Sequence, residues 1–199
     1  MAKIISVANS KGGVSKSSLV LFIYQYLQSI GGDVVMLDRD EQRTITDLSN
    51  RLGKGLRIID PDDLDEIHSL PYEFIISDTP PYKSDIWDKL FFQSDFILIP
   101  MKPTFFDLMA VETIIDEISQ YEGKKYAVVL TQVRHGVGFN NDILTQLKEK
   151  GIPVLNTKMY QRVAYTRGVL YDNLGAEQDA KAEKEMADIT AEILTKIAG

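Results

Sequence analysis

The sequence predicts an α/β fold with a mostly parallel twisted sheet covered by helices on both faces. Three observations predict it. Short apolar runs alternate with longer helical patterns along the whole chain. Those runs are apolar almost throughout rather than on alternate positions, as strands buried on both faces require. The residues that follow them are glycine-rich or acidic, which puts polar function beyond the carboxyl ends of the strands. At 199 residues the chain is expected to form one domain over 1–199, a size at which folding buries about 70% of the unfolded surface.

The elements follow in order. Residues 3–8 (KIISVA) are a β-branched strand. Residues 17–30 are a helix with Leu19, Phe22, Ile23, Tyr26 and Leu27 on one face, ended by Gly31-Gly32. The segments 34–37 (VVML), 74–77 (FIIS), 96–99 (closed by Pro100) and 126–131 read as strands, and 56–59 and 153–155 as shorter ones. Helices are expected over 42–52, 61–68, 86–92, 108–121, 141–150, 162–171 and 180–197. No repeat, low-complexity tract or linker interrupts them.

Composition excludes several classes. Without cysteine there is no disulfide, thiolate zinc site, iron–sulfur cluster or cysteine nucleophile. Two histidines, His68 and His135, make a histidine-rich metal site a poor reading. The start, MAKIISVANSKGG, lacks a signal-peptide pattern, and no apolar run approaches the roughly 18 residues of a membrane span. A cytoplasmic protein is expected. The net charge of −7 taken alone argues against nucleic-acid binding.

Directly after the first strand comes Ser10-Lys11-Gly12-Gly13-Val14-Ser15-Lys16-Ser17-Ser18. It fails GxxxxGK[ST], with serine at 10 and 15, but fits the deviant form KGGxxK[ST]. Gly12 and Gly13 let backbone N–H groups turn inward as an anion nest, and the loop runs into a helix N-terminus, which favours phosphate. Lys11 through Ser18 form the expected cradle. Lys16 reaches the β/γ-phosphates of a nucleotide, and the Ser17 hydroxyl ligates Mg²⁺.

Two acidic clusters fall on the same edge: Asp38-Arg39-Asp40-Glu41-Gln42 after strand 34–37, and Asp78-Thr79-Pro80-Pro81 after strand 74–77. Carboxylates there are costly unless paired or beside a metal, and Mg²⁺ with phosphates supplies the missing charge. Asp78 reads as the acid behind a Mg²⁺-bound water, Asp38 as a second, and Asp40 as the group orienting the attacking water.

Together these segments resemble the ParA/MinD family of deviant-Walker ATPases, most closely its short plasmid-partition members, over nearly the whole chain. KGGVSKSS is similar to KGGVGKTT, LDRDEQRTITDL to IDxDPQxSxTxL, and YEFIISDTPP to YDxIIIDTPP. ILIPMKPTFFDLMAVETIIDEI resembles IPxxPSxxDLxAxxxxxxxI, and QRVAYTRGVLYDNLGAEQD a block beginning QRxAYxxA. Ser15 stands where the family has glycine and Glu41 where it has proline.

The resemblance implies a single-domain P-loop NTPase using ATP and Mg²⁺. It implies an ATP-dependent homodimer in which Lys11 crosses to the partner's phosphates, with Lys11, Lys16 and Asp40 serving catalysis. It further implies non-specific DNA binding, nucleoid association, and slow hydrolysis stimulated by a ParB-like or other adaptor protein. The segment 131–134 lies where relatives contact adenine. Pro103 and Asp107 match the family's loop and helix start, where Asp107 is expected as a cap.

Charge distribution qualifies the net value. Residues 148–167 carry five basic side chains against Glu149 alone, whereas 168–199 carry seven acidic against three basic. Lys158, Arg162 and Arg167 are the expected DNA contacts, doubled across a dimer, with Lys181 and Lys184 as a possible extension beside a solvated-face reading. Trp87, Phe91 and Phe92 read as core or interface packing. A MinD-like membrane role fits poorly, because the tail AEKEMADITAEILTKIAG is acidic and lacks aromatics. Alternatives kept open are positioning of a protein cargo such as carboxysomes or chemoreceptor clusters, and a small-molecule ATP-dependent synthetase. A non-catalytic scaffold conflicts with the intact Lys16, Ser17, Asp40 and Asp78. No segment before Lys3 is long enough for a helix-turn-helix, so operator-specific autoregulation by this chain is not expected.

Overall fold

A computed structural model describes residues 1–53, 55–61, 63–136, 139–170 and 179–199. Six strands form one sheet: β1 (Lys3–Val7), β2 (Val34–Asp38), β3 (Ile58–Ile59), β4 (Phe74–Asp78), β5 (Phe96–Met101) and β6 (Tyr126–Leu130). Their order is β3-β2-β4-β1-β5-β6, and every pair is parallel. Parallel neighbours need crossovers. These are α1 (Lys16–Ser29), α2 (Thr44–Leu52), a segment with one 3₁₀ turn between β3 and β4, α3 (Asp85–Gln93) and α4 (Phe105–Ile118), and after β6 come α5 (Phe139–Glu149), α6 (Val163–Gly168) and α7 (Ala180–Ala198).

Burial on both faces accounts for the apolar strands. On one face Ile5, Val7, Val34, Met36, Ile76, Leu98 and Val129 pack with α1 and α7. On the other, Ile97, Ile99, Val128 and Leu130 pack with α3, α4 and α5, and Ile4, Val35, Leu37 and Ile75 pack with Leu64 and Leu90. Successive side chains alternate between these layers.

Several boundaries depart from expectation for identifiable reasons. The helix expected over 61–68 is a single 3₁₀ turn, Ile67–Ser69. The Asp63 carboxylate accepts from Asp65 N–H at 2.8 Å, a local bond that competes with helix. The helix expected from residue 42 begins at Thr44, because Gln42 N–H bonds the Asp40 carboxylate (2.9 Å) and Arg43 is left-handed at φ +44°. The strand expected to close at Pro100 runs on to Met101. Leu98 and Pro100 share one backbone side, facing β1. There Leu98 O accepts from Ala8 N–H, and Asn9 reaches Pro100 O beyond the end of β1. The donor proline lacks therefore falls where no partner strand remains. The strand expected over 56–59 shrinks to two residues. That over 153–155 is a single parallel bridge, Val154 to Val128. The helix expected over 162–171 is described as Val163–Gly168, and Tyr171 lies outside the described residues.

Candidate functional site

The phosphate loop is built on the end of β1. Asn9 is fully buried and holds both sides of the turn, its side chain accepting from Lys11 N–H (2.7 Å) and donating to Pro100 O (2.6 Å). Gly13 turns at φ +69°, the left-handed region glycine enters without penalty. Ser15 precedes α1 in that region too, at φ +72°, where a side chain is strained. Its carbonyl accepts the first helical bond, from Leu19 N–H at 3.0 Å. The first turn of α1 holds no acidic residue, which leaves its partial positive charge for a ligand. Lys11, Gly12 and Gly13 are exposed, Val14 and Lys16 are buried, and Ser17 and Ser18 are half-buried.

The acidic residues meet on one rung of the sheet. Val7 is in register with Asp78, and Asp78 with Asp38. All three follow the parity of Ile5, Ile76 and Met36, so they project on the face that α1 covers. Asp78 is fully buried, and neither of its carboxylate oxygens meets a hydrogen-bond donor. Asp38 accepts from Thr46 N–H (2.9 Å) and the Thr46 hydroxyl (2.8 Å) on Oδ2, while its Oδ1 is buried without a partner. Burial pushes Asp78 up to about 7; the nearby Ser17 hydroxyl and Lys16 draw it back, and Asp38 and Asp40 push it further. The Ser17 hydroxyl is close enough to act on Asp78 yet outside hydrogen-bond geometry.

Three orphaned carboxylate oxygens beside a hydroxyl make a donor set suited to a hard cation. Among the described residues no group of three or more His, Asp or Glu side chains could hold a metal. A cation here would take its remaining ligands from phosphate and water, as Mg²⁺ does. The residues fit Mg²⁺ with nucleotide: Ser17, Asp38 and Asp78 could hold the metal, and the loop with Lys16 could hold phosphate. Asp40 lies just beyond β2, buried, its carboxylate braced by Gln42 N–H and its carbonyl by Arg43 N–H (2.9 Å). Exposed Glu41 hydrogen-bonds the Tyr82 phenol, raising its pKa and joining the loops after β2 and β4.

Residues after later strands converge on the loop: Thr131 and Gln132 belong to the segment 131–134 expected near adenine, but their contacts with the loop, and the approach of Lys102, were not foreseen from the sequence. Thr131 donates its hydroxyl to Val14 O at 3.1 Å. Gln132 donates its amide to Gly13 O (2.8 Å) and Ser15 Oγ (3.1 Å), and is itself left-handed at φ +52°. Lys102 Nζ would lie 3.7 Å from a β-carbon placed on Gly13, which adds an ammonium beside the loop. The available signal was place in the chain: polar residues immediately after apolar strands.

The basic segment divides. Lys158 is half-buried beside Arg134, His135 and Asn140 in an open cleft of about 350 Å³, where His135 stacks on Tyr160 at 4.1 Å. Arg167 is exposed in the last turn of α6. Arg162 has a different setting from the free phosphate contact expected of it. Its side chain is 15% exposed and bonds Glu185 of α7 at 2.5 and 2.8 Å. Glu185 also accepts from the Tyr165 hydroxyl (2.7 Å) and Tyr160 N–H (3.1 Å). The Lys184 ammonium pairs with Asp188 at 2.9 Å. Asp107 sits at the third position of α4 rather than capping it. Thr104 is the cap, accepting from Asp107 N–H (3.1 Å) while its hydroxyl donates to the Asp107 carboxylate. Trp87 and Phe91 are buried, with Trp87 donating to Pro80 O at 2.8 Å, whereas Phe92 stays exposed.

Comparison with known proteins agrees with this arrangement. The chain is 27% identical to the maintenance of carboxysome distribution protein A of Halothiobacillus neapolitanus, covering 97% of this chain and 95% of that one. Its fold is similar to a plasmid partition protein of Borrelia burgdorferi bound to AMPPNP, with TM-score 0.77 at 17% identity over 98% of this chain and 99% of that one. It is also similar to the cobyrinic acid a,c-diamide synthase of Mycobacterium smegmatis with bound ATP analogue and magnesium, with TM-score 0.78 at 16% identity over 98% and 94%. The first of these neighbours thus holds a nucleotide analogue in this fold, and the second holds one together with magnesium. Residues 5–174 match the CobQ/CobB/MinD/ParA nucleotide-binding domain, and with its phosphate loop and paired aspartates on one edge the chain belongs to that family.

Proposed function

We propose that this chain is a Mg²⁺-dependent ATPase that dimerises on ATP, binds DNA without sequence preference in that state, and is reset by adaptor-stimulated hydrolysis. On this reading it segregates a plasmid or chromosome. The observation that carries it is the rung Val7–Asp78–Asp38, which sets buried, unsatisfied carboxylate oxygens directly beside a lysine-bearing phosphate loop. Mg²⁺ bound there supplies positive charge to the phosphates and to the acids. Lys16 neutralises phosphate from within the site, Lys11, whose exposure suits the role, reaches a second subunit, and Asp40, braced by the loop after β2, orients the attacking water.

Exposed Phe105, Phe106 and Met109 support a dimer, since they open α4 at the same sheet edge as the phosphate loop. Lys158 and Arg167 supply the DNA contact, and Arg162 organises the surface through Glu185. Lys16→Ala is expected to abolish nucleotide binding or dimerisation. Asp40→Ala is expected to keep binding and trap the dimer, and hydrolysis at the wild-type rate by that variant would remove Asp40 from its role. ATP-dependent retention of DNA in a low-salt mobility shift tests the DNA face; unchanged retention by Lys158→Ala, Arg167→Ala and their double variant would sink it. The full-length likeness to a carboxysome distribution protein favours a protein cargo as the second reading. A neighbouring gene for a DNA-site-binding adaptor, as against one for an assembly-binding adaptor, separates the two.

A further inference from the structure

We infer that Gln132 is a positioning residue for the phosphate loop, matched to Ser15, so that the two hold the cradle in its anion-binding form. This rests on the nucleotide reading above and adds to it a residue, and a reason for the serine.

The loop has to keep its carbonyls turned away from the ligand and its N–H groups turned in. Glycine at the left-handed positions makes that turn without strain. Here Gly13 does so, but Ser15, two residues on, holds φ +72° with a side chain present. Something must over-determine such a conformation for it to persist. Thr131 and Gln132 at the end of β6 do so across more than a hundred residues of sequence. The Thr131 hydroxyl takes Val14 O, and the Gln132 amide takes Gly13 O and Ser15 Oγ. One amide nitrogen carries two hydrogens, so both Gln132 bonds form together. Three consecutive loop residues are thereby fixed from outside by two adjacent residues just past β6, buried Thr131 and half-buried Gln132. Gln132 adopts φ +52° to reach them, so strain lies on both sides of the contact. The side chain whose β-carbon makes Ser15 costly as a left-handed residue also carries the hydroxyl through which Gln132 restrains it.

Gln132→Asn tests this, because asparagine tolerates the left-handed region well but is one methylene too short to reach either partner. Binding of MgATP and of magnesium tripolyphosphate is measured for the wild type, Gln132→Asn, Ser15→Gly and the double variant, with melting of the nucleotide-free protein as the folding control. Gln132→Asn is expected to stay folded, melting a few degrees below the wild type, and to bind both ligands about tenfold more weakly, as the loss of two hydrogen bonds that hold the loop implies. In the Ser15→Gly background the same change is expected to cost only about threefold, because one of the two bonds is already gone. Wild-type affinity in Gln132→Asn overturns the inference. So does an equal loss in both backgrounds, which removes the coupling to Ser15. A loss for MgATP with none for tripolyphosphate also overturns it, by making Gln132 a contact to the base. Failure of the wild-type chain to bind either ligand defeats the nucleotide reading itself, a result distinct from the other three.

Discussion

Asp78 shows most directly how a single residue can be unstable alone and useful with a ligand. Its carboxyl is raised from the ordinary range to about 7 by burial. Between about pH 4 and 7 the native chain thus holds a proton that the unfolded chain has released, and stability without ligand falls as pH rises through that window. Asp78→Asn is expected to raise the melting temperature of the nucleotide-free protein at pH 8, by the equivalent of about 4 kcal/mol. The gap should narrow towards pH 4, and Mg²⁺-dependent nucleotide binding should be lost in the same variant. Thermal melts across that pH range, with and without MgATP, check both parts. Glu185 is the opposite case, an acid satisfied within the fold. Glu185→Ala takes the carboxylate partner from the Arg162 guanidinium and from Tyr160 N–H, while Tyr165 keeps its bond to Ala182 O, and is expected to cost about 3 kcal/mol in denaturant unfolding.

At the scale of elements, boundaries follow side-chain bonds that no periodicity contains. The Thr104 and Asp107 pair opens α4 as a reciprocal cap. Thr104→Ala is expected to cost about 1 kcal/mol of stability by chemical denaturation, with Thr104→Ser close to neutral. Residues 34–37 and 74–77 were legible as strands because burial on both faces writes a continuous apolar run into the sequence, and each strand runs one residue further, to Asp38 and Asp78. The start of α2 was not, because the Asp40 carboxylate takes the Gln42 N–H that a helix would otherwise leave unsatisfied. Nor was the passage of β5 through Pro100, which depends on where the neighbouring strand stops.

For the whole molecule, the proposed cycle couples ligand to assembly. MgATP at a hundred times its dissociation constant is expected to stabilise the fold by about 2.7 kcal/mol, and ATP with chelator to do far less. Melting with and without EDTA measures this. Phe106 is 73% exposed at the edge that carries the phosphate loop. Phe106→Glu is expected to leave MgATP binding intact while preventing the ATP-dependent dimer, which light scattering after gel filtration reads directly. A net charge of −7 agrees with such a molecule once its distribution is considered, since residues 33–70 hold ten acidic against five basic side chains and include the acids of the nucleotide edge.

The parallel α/β architecture, the phosphate loop and the acids at the carboxyl ends of the strands can be read from the order of amino acids alone. Each of these is local: an apolar run, a glycine pair before a helix, an aspartate ending a strand. Tertiary structure alone decided that Asp38 and Asp78 share a rung, that Gln132 and Lys102 come to the loop, and that Arg162 is held by Glu185. Those facts depend on strand order and register, which bring together residues far apart in the chain. The free energy that fixes them comes from burying both faces of the sheet, and no short stretch of sequence contains that sum.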